Sequence, residues 1–75
     1  MKARQPIHKR ISGAVRKHRE ALGISQEAFA DRIEMHRAYY GAIERGKKDF
    51  RLSTLERVCE GLNVQMSDLI RDADA

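Results

Sequence analysis

The sequence is poor in residues that crosslink a chain or anchor it in a membrane. It contains one cysteine, Cys59, which excludes an internal disulfide and cannot by itself form a cysteine-based metal site. No apolar run approaches the roughly 20 residues that a membrane span requires. The N-terminal segment is charged and lacks the apolar core of a signal peptide. We therefore expect a cytoplasmic protein that does not contact a membrane.

Sustained alternation of polar and apolar residues, internal repeats and low-complexity stretches are also missing, so nothing in the sequence favours β-strands. The single proline, Pro6, lies where a first helix could begin. With 75 residues, the chain is expected to form one all-α domain. A chain of this length buries only about 60% of its unfolded surface, so oligomerisation would be a usual supplement to its thin core.

Acidic residues are absent from the first 19 positions, which contain seven basic ones: Lys2, Arg4, Lys9, Arg10, Arg16, Lys17 and Arg19. A second basic cluster, interrupted only by Asp49, consists of Arg45, Lys47, Lys48 and Arg51. The isoelectric point near 9.6 exceeds the value of about 9 that is typical of nucleic-acid-binding domains. A solvated surface could account for either run alone. Two clusters of one sign on either side of a helical hairpin favour a polyanionic partner.

Apolar residues recur at helical spacing and predict five helices. The first begins at Pro6 and ends at Gly23, with an apolar stripe formed by Ile7, Ile11, Ala14, Val15, His18 and Leu22. Ser25 is a favourable N-cap for the second helix, residues 26–33. The third helix is expected to begin at His36 or Arg37 and to end at Gly46, with Tyr40 and Ile43 turned inward.

Only residues 34–36 separate the second and third predicted helices, and two short helices joined by so short a turn are typical of the helix-turn-helix motif. After a basic loop, Ser53 and Glu56 have the spacing of a capping box ahead of a fourth helix. Asn63 is a plausible left-handed C-cap for that helix. A fifth helix is expected over residues 66–71.

Two segments resemble the phage-repressor and Cro-type (XRE) helix-turn-helix family. They are Leu-Gly-Ile-Ser-Gln-Glu-Ala-Phe-Ala at 22–30 and Arg-Ala-Tyr-Tyr-Gly-Ala-Ile-Glu-Arg-Gly at 37–46. The stretch 36–46 is similar to the controller proteins of restriction–modification systems, and the resemblance runs from Ile11 to Ile70. It implies a compact five-helix bundle of the lambda-repressor-like type. It also implies a dimeric transcriptional regulator that binds double-stranded DNA sequence-specifically.

The third helix is then expected to enter the major groove of DNA. Arg37 is the best candidate for base readout, because its guanidinium can donate two hydrogen bonds to guanine. Ala38 could meet a thymine methyl group, and Tyr39 could stack on a base step or reach a phosphate. Gly41 and Ala42 are small enough for close approach to DNA.

Contacts to the DNA backbone are expected on both sides of this helix. Gln26 begins the second helix and is expected to donate to a phosphate oxygen. The resemblance suggests that the basic loop after the third helix also touches the backbone, through Arg45, Lys47, Lys48 and Arg51.

The resemblance further implies a buried ion pair between Arg19 and Glu44, which would join the first helix to the third. Three positions depart from the family pattern. Glu34 stands where the turn usually has glycine, and a left-handed backbone there would cost roughly 1–2 kcal/mol. His36 replaces the usual capping residue, and Tyr40 requires a partner for its hydroxyl group if it is buried.

A single recognition helix reads few base pairs, and two-fold proteins fit two-fold operators. We expect the isologous interface of a homodimer around helix five, formed by Val64, Met66, Leu69 and Ile70. Residues 1–6 are expected to form a flexible basic arm, residues 7–71 the DNA-binding domain and residues 72–75 a tail. No sensing domain is evident, so we expect no small-molecule effector.

Two other classes of function compete with transcriptional regulation. Catalysis is disfavoured, because the histidines His8, His18 and His36 lack metal-ligand spacing and Cys59 falls on an inward helix position. We expect no cofactor and no bound metal. A DNA-binding antitoxin or a protein-interaction module with a protein partner is the alternative. A pure interaction module would show no duplex selectivity, whereas specific DNA binding weakens steeply with salt.

Overall fold

Five helices form the fold in the computed structural model, which describes residues 5–47 and 50–74. They are α1 (Ile7–Ala21), α2 (Gln26–Arg32), α3 (Arg37–Glu44), α4 (Leu52–Leu62) and α5 (Met66–Asp74). No strand occurs in these ranges. The predicted all-α fold is therefore confirmed.

The core is built where the apolar stripes of all five helices meet. Every helix contributes to its most deeply buried apolar side chains, which are Val15, Phe29, Tyr40, Leu55, Val58 and Leu69. The rings of Phe29 and Tyr40 lie 5.1 Å apart at an angle of 49°, a tilted arrangement that aromatic pairs favour. The inward positions predicted for Tyr40 and Ile43 of α3 and for Cys59 of α4 are confirmed, because these side chains are buried.

Close approach of α4 to α2 depends on Gly61. A Cβ atom at this position would lie 3.0 Å from Cζ of Phe29 and closer still to the side chain of Ile33. Because real Cβ atoms rarely approach neighbours so closely, glycine is required here for packing rather than for backbone freedom.

Several helix ends follow the predicted signals. The Ser25 hydroxyl accepts a hydrogen bond from the backbone N–H of Ala28 at 3.0 Å, which caps α2. Asn63 adopts the left-handed conformation, with φ of 60°, and ends α4 as predicted. Gly23 has a φ of 74° just beyond α1.

The capping box predicted at Ser53 and Glu56 is wrong. Helix α4 begins at Leu52, and its N-cap, Arg51, makes no side-chain capping hydrogen bond. Ser53 is thus already inside the first turn, where its hydroxyl group is no longer at the capping position.

Helix α5 is longer than predicted and continues through residues 72–74, which we expected in the tail. One turn beyond Leu69, Ala73 is also buried, and this extends the apolar stripe of the helix. Two side-chain contacts join this end to α1: an ion pair between Arg10 and Asp74 at 2.9 Å, and a hydrogen bond between His18 Nε2 and Asp72 Oδ2 at 2.8 Å. The apolar stripe of α1 is shorter than predicted, because Ile7 and Leu22 are largely exposed.

Candidate nucleic-acid interface

The turn between α2 and α3 has the geometry of a Schellman motif. The backbone N–H of Met35 donates to the backbone carbonyl of Ala30 at 2.9 Å. The backbone N–H of Glu34 donates to the backbone carbonyl of Asp31 at 3.1 Å. Glu34 occupies the left-handed position, with φ of 54°, which glycine usually fills. The turn therefore has the left-handed backbone conformation that glycine usually provides, and the backbone of Glu34 is strained there.

Arg57 of α4 holds this turn from the other side. Its Nε donates to the carbonyl oxygen of Ile33 at 3.0 Å, and its Nη2 donates to that of Glu34 at 2.6 Å. Ile33 is the C-cap of α2, so its carbonyl is one that the helix end leaves without an intrahelical partner, and Glu34 follows it in the turn. The sequence does not indicate this contact, because nothing in the spacing of α4 shows which carbonyls an arginine will reach.

Helix α3 has two distinct faces. Tyr40, Gly41, Ile43 and Glu44 are buried against the rest of the domain. The outer face is formed by residues that we expected to contact DNA, namely Arg37, Ala38, Tyr39 and Arg45, which are exposed, and Ala42, which is half-buried. The His36 N-cap makes no side-chain capping hydrogen bond. The N-terminal half of this face is thus open to a partner.

A buried cluster around Glu44 fixes α3 on the domain. The Glu44 carboxylate accepts hydrogen bonds from Arg19 Nε at 2.7 Å, Arg19 Nη2 at 3.0 Å and Gln26 Nε2 at 3.0 Å. It also accepts one from the Tyr40 hydroxyl, so that buried phenol has its partner. Arg19 and Glu44 retain only 10% and 1% of their side-chain exposure, so this ion pair is buried.

The pKa values of these groups reflect burial and hydrogen bonding together. Burial alone would raise the pKa of Glu44, but the hydrogen bonds from Arg19, Tyr40 and Gln26 lower it overall. Burial, and then the hydrogen bond to Glu44, raises the pKa of Tyr40. The hydrogen bond to Glu44 raises the pKa of Arg19. The Glu44 carboxylate is therefore ionised and surrounded by one charged and two neutral hydrogen-bond donors. A buried charge is stable in a protein when it is paired and hydrogen-bonded in this way.

Gln26 is half-buried at the first position of α2. One N–H of its amide nitrogen is directed to Glu44. An amide nitrogen carries two donors, so the second N–H is the one with which Gln26 could meet a phosphate. The contact expected between Gln26 and the DNA backbone stays a prediction.

Arg37, the expected base reader, is the first residue of α3 and forms an ion pair with Asp31 of α2. Its Nη2 lies 2.7 Å from Asp31 Oδ2, and its Nε lies 3.2 Å from Oδ1. The hydrogen bonds from Arg37 lower the pKa of Asp31. Asp31 is not among the residues predicted to matter for DNA binding. Its position six residues before Arg37, across the predicted turn, would have indicated that the two side chains can meet.

Gly41 does not lie on the outer face as we expected, because it is buried. The side chains of Arg45 and Gln26 cover it, and a Cβ atom there would lie 3.0 Å from Nη1 of Arg45. The basic residues Lys47 and Arg51 are exposed beside α3 and α4. Lys48, expected to contact the backbone, lies outside the described residues.

The expected dimer surface is only partly exposed. Leu69 has no exposed surface and belongs to the core, so it cannot line an interface in this fold. Ile70 retains 37% of its exposure, and Val64 and Met66 are half-buried beside a groove of about 780 Å³. An interface formed by these three residues stays a prediction.

Other kinds of site find little support in the part of the chain that the structure describes. No group of histidine, cysteine and acidic side chains there could hold a metal ion. No helix of the described residues is long and apolar enough to cross a membrane. Cys59 is buried, and burial raises the pKa of its thiol, which keeps it in its less reactive form.

A helix-turn-helix family model matches residues 15–69, and the chain belongs to this family. The resemblance read from the sequence is thereby confirmed. The control protein C.MunI of Mycoplasma sp is 39% identical over 56 residues, which are 75% of this chain and 76% of that protein. The control protein C.SmaI of Serratia marcescens is 36% identical over 75% of this chain and 67% of that protein.

Solved structures show the same fold. The clp gene regulator ClgR of Corynebacterium glutamicum superposes with a TM-score of 0.88 at 26% identity, over 97% of this chain and 95% of that one. The restriction–modification controller protein C.Esp1396I was solved as a tetramer on its natural 35-base-pair operator. It superposes with a TM-score of 0.82 at 25% identity, over 96% of this chain and all of that one.

Proposed function

We propose that this protein is a sequence-specific, double-stranded-DNA-binding transcriptional regulator that acts as a homodimer on a palindromic or nearly palindromic operator. The observation that carries the proposal is the outer face of α3. It is open to solvent, while buried contacts to α1 and α2 fix its inner face. A helix held in this way can enter the major groove as a rigid body.

The relatives support this function. C.MunI and C.SmaI are control proteins, and C.Esp1396I is a restriction–modification controller solved on its operator. The proposal implies a non-enzymatic protein in the cytoplasm, and it involves no cofactor or small-molecule effector.

In the proposed complex, α3 lies in the major groove, where Arg37 donates to guanine. Ala38 meets a thymine methyl group, and Tyr39 stacks on a base step or reaches a phosphate. Ala42 permits close approach of the helix. Phosphate contacts come from Gln26 and from the basic segment Arg45, Lys47, Lys48 and Arg51. These contacts supply affinity without sequence information, and Arg37 supplies the discrimination.

The proposal is tested by selecting bound sites from a pool of random duplex DNA. The wild-type protein is expected to enrich an inverted repeat whose half-sites are about one helical turn apart. Arg37→Ala is expected to lose about ten- to a hundredfold discrimination at one base pair of each half-site. Arg71→Ala removes the same charge from an exposed arginine of α5 and should leave the selected site unchanged.

Enrichment of no sequence by the wild-type protein would refute the proposed function. An unchanged site for Arg37→Ala would leave the function intact but remove Arg37 from base readout. Salt provides a second check, because log affinity for the selected duplex should fall linearly and steeply with log salt concentration.

A further inference from the structure

The ion pair between Arg37 and Asp31 engages only one edge of the guanidinium group. Asp31 accepts from Nε and Nη2, which form the side-on edge of the arginine. Arg37 has five N–H groups, so both N–H groups of Nη1 and the second one of Nη2 remain for other acceptors. One N–H of Nη1 and this second N–H of Nη2 form the end-on edge, which can donate two parallel hydrogen bonds to guanine O6 and N7.

Folding stability gives no sufficient reason for this pair. Arg37 and Asp31 keep 62% and 57% of their side-chain exposure, and ion pairs so exposed contribute little to stability. Asp31 also lies in the last turn of α2, where an acidic residue interacts unfavourably with the helix dipole.

Affinity for DNA gives no reason for it either. A carboxylate beside a DNA-facing helix repels phosphates and lowers non-specific binding. Asp31 therefore weakens general attraction to DNA, and the remaining effect is on the orientation of Arg37. A flexible arginine could reach a phosphate or several bases, whereas one held along its side-on edge presents the end-on edge in a fixed direction.

We propose that Asp31 is a specificity-determining positioning residue, which holds the Arg37 guanidinium with its end-on edge directed at one guanine of each half-site. This inference rests on the proposed function, because it requires α3 to lie in the major groove. Asp31 itself does not touch a base in this arrangement and acts through Arg37.

The test compares Asp31→Asn with Glu27→Gln. Glu27 is an exposed acid of the same helix that influences Arg37 only through its charge, so its variant reports the effect of losing one negative charge near DNA. Affinities are measured for the selected operator, for the operator with the Arg37-dependent guanine replaced, and for random duplex DNA.

Asp31→Asn is expected to bind random duplex at least as tightly as the wild type and to lose about tenfold discrimination at that base pair. Glu27→Gln should retain the discrimination. In an Arg37→Ala background, Asp31→Asn should have no further effect on discrimination, because the two residues act as one unit. Without DNA, NMR relaxation of the Arg37 Nε–H should show a rigid group in the wild type and a mobile one in Asp31→Asn.

Full discrimination by Asp31→Asn would overturn the proposal. Tighter operator binding with unchanged discrimination would also overturn it, and would identify Asp31 as a competitor that masks Arg37. Equal mobility of the Arg37 Nε–H in both proteins would count against it independently of DNA. If the wild type selects no sequence at all, the proposed function fails, and this inference fails with it.

Discussion

Glu44 is the residue on which the position of α3 most depends, since its carboxylate joins side chains from α1, α2 and α3. Removing one partner would leave a buried charge without compensation, which typically costs about 3–5 kcal/mol. Arg19→Met should therefore lower the free energy of unfolding by about this amount in denaturant titrations. Arg16→Met, which breaks an exposed pair with Glu20, should change it by no more than about 0.5 kcal/mol. Similar values for the two variants would contradict the role of the cluster.

The lowered pKa of Glu44 also predicts how stability depends on pH. A glutamate in the unfolded chain has a pKa of about 4.3. In the folded protein the pKa of Glu44 lies below its usual value. The stability that its ionised form contributes is complete above the unfolded pKa and is lost as pH falls through the folded pKa. Glu44→Gln should consequently flatten the acid limb of the stability curve. Asp31→Asn, which removes another carboxyl with a lowered pKa but an exposed one, should flatten it less.

For individual residues, the sequence indicated which side chains matter better than it indicated which hydrogen bonds they form. The resemblance to the family named Arg19 and Glu44 together, and the structure joins them directly. It did not indicate that Gln26 and Tyr40 complete the same cluster, because hydrogen bonds between elements depend on packing that periodicity does not describe. Gly41 was misplaced for a similar reason, since its surroundings are the side chains of Arg45 and Gln26.

The helix-turn-helix itself shows how one element is stabilised by another. Its turn contains Glu34 in the left-handed conformation, and Arg57 of α4 donates to the carbonyls of Ile33 and Glu34, in two successive peptide units. The strained residue, Glu34, lies in the turn itself, whereas the hydrogen bonds that stabilise the turn come from Arg57 in α4.

Two substitutions separate the strain from the contact. Glu34→Gly should raise the free energy of unfolding by about 1 kcal/mol, because glycine adopts positive φ without a Cβ clash. Arg57→Ala should lower it by about 1–2 kcal/mol through the loss of two hydrogen bonds from a charged donor. Thermal unfolding measures both, with Arg16→Ala as the control for an exposed arginine. A stability loss for Glu34→Gly would mean that the turn is not strained.

The first and last residues of a helix were predictable where a capping residue marks the helix end in the sequence. Ser25 and Asn63 act as caps through their own side chain or backbone, so their roles could be read from the sequence. The start of α4 and the end of α5 could not, because tertiary packing determines them. Ala73 is buried against the rest of the domain, and this packing extends α5 beyond its predicted end.

For the whole molecule, the five helices were predictable because hydrophobic periodicity and the short turn describe them directly, whereas the location of the candidate DNA surface followed from the resemblance to the helix-turn-helix family. The dimer surface was less predictable, since an apolar residue on a short helix can serve the core or an interface equally well. Leu69 serves the core, and this leaves Ile70 as the exposed apolar residue of α5.

Ile70 therefore allows dimerisation to be tested without disturbing the core. Ile70→Glu should shift the protein from dimer to monomer in equilibrium sedimentation, because it places a charge in the centre of the proposed isologous contact, once from each subunit. Operator affinity should fall at least about tenfold, since a monomer holds only one half-site. Leu52→Glu is the matched control, because Leu52 is an exposed apolar residue at the start of α4, and this variant should remain dimeric. A wild-type monomer at high micromolar concentration would exclude the dimer, whereas a dimeric Ile70→Glu would move the interface to another surface.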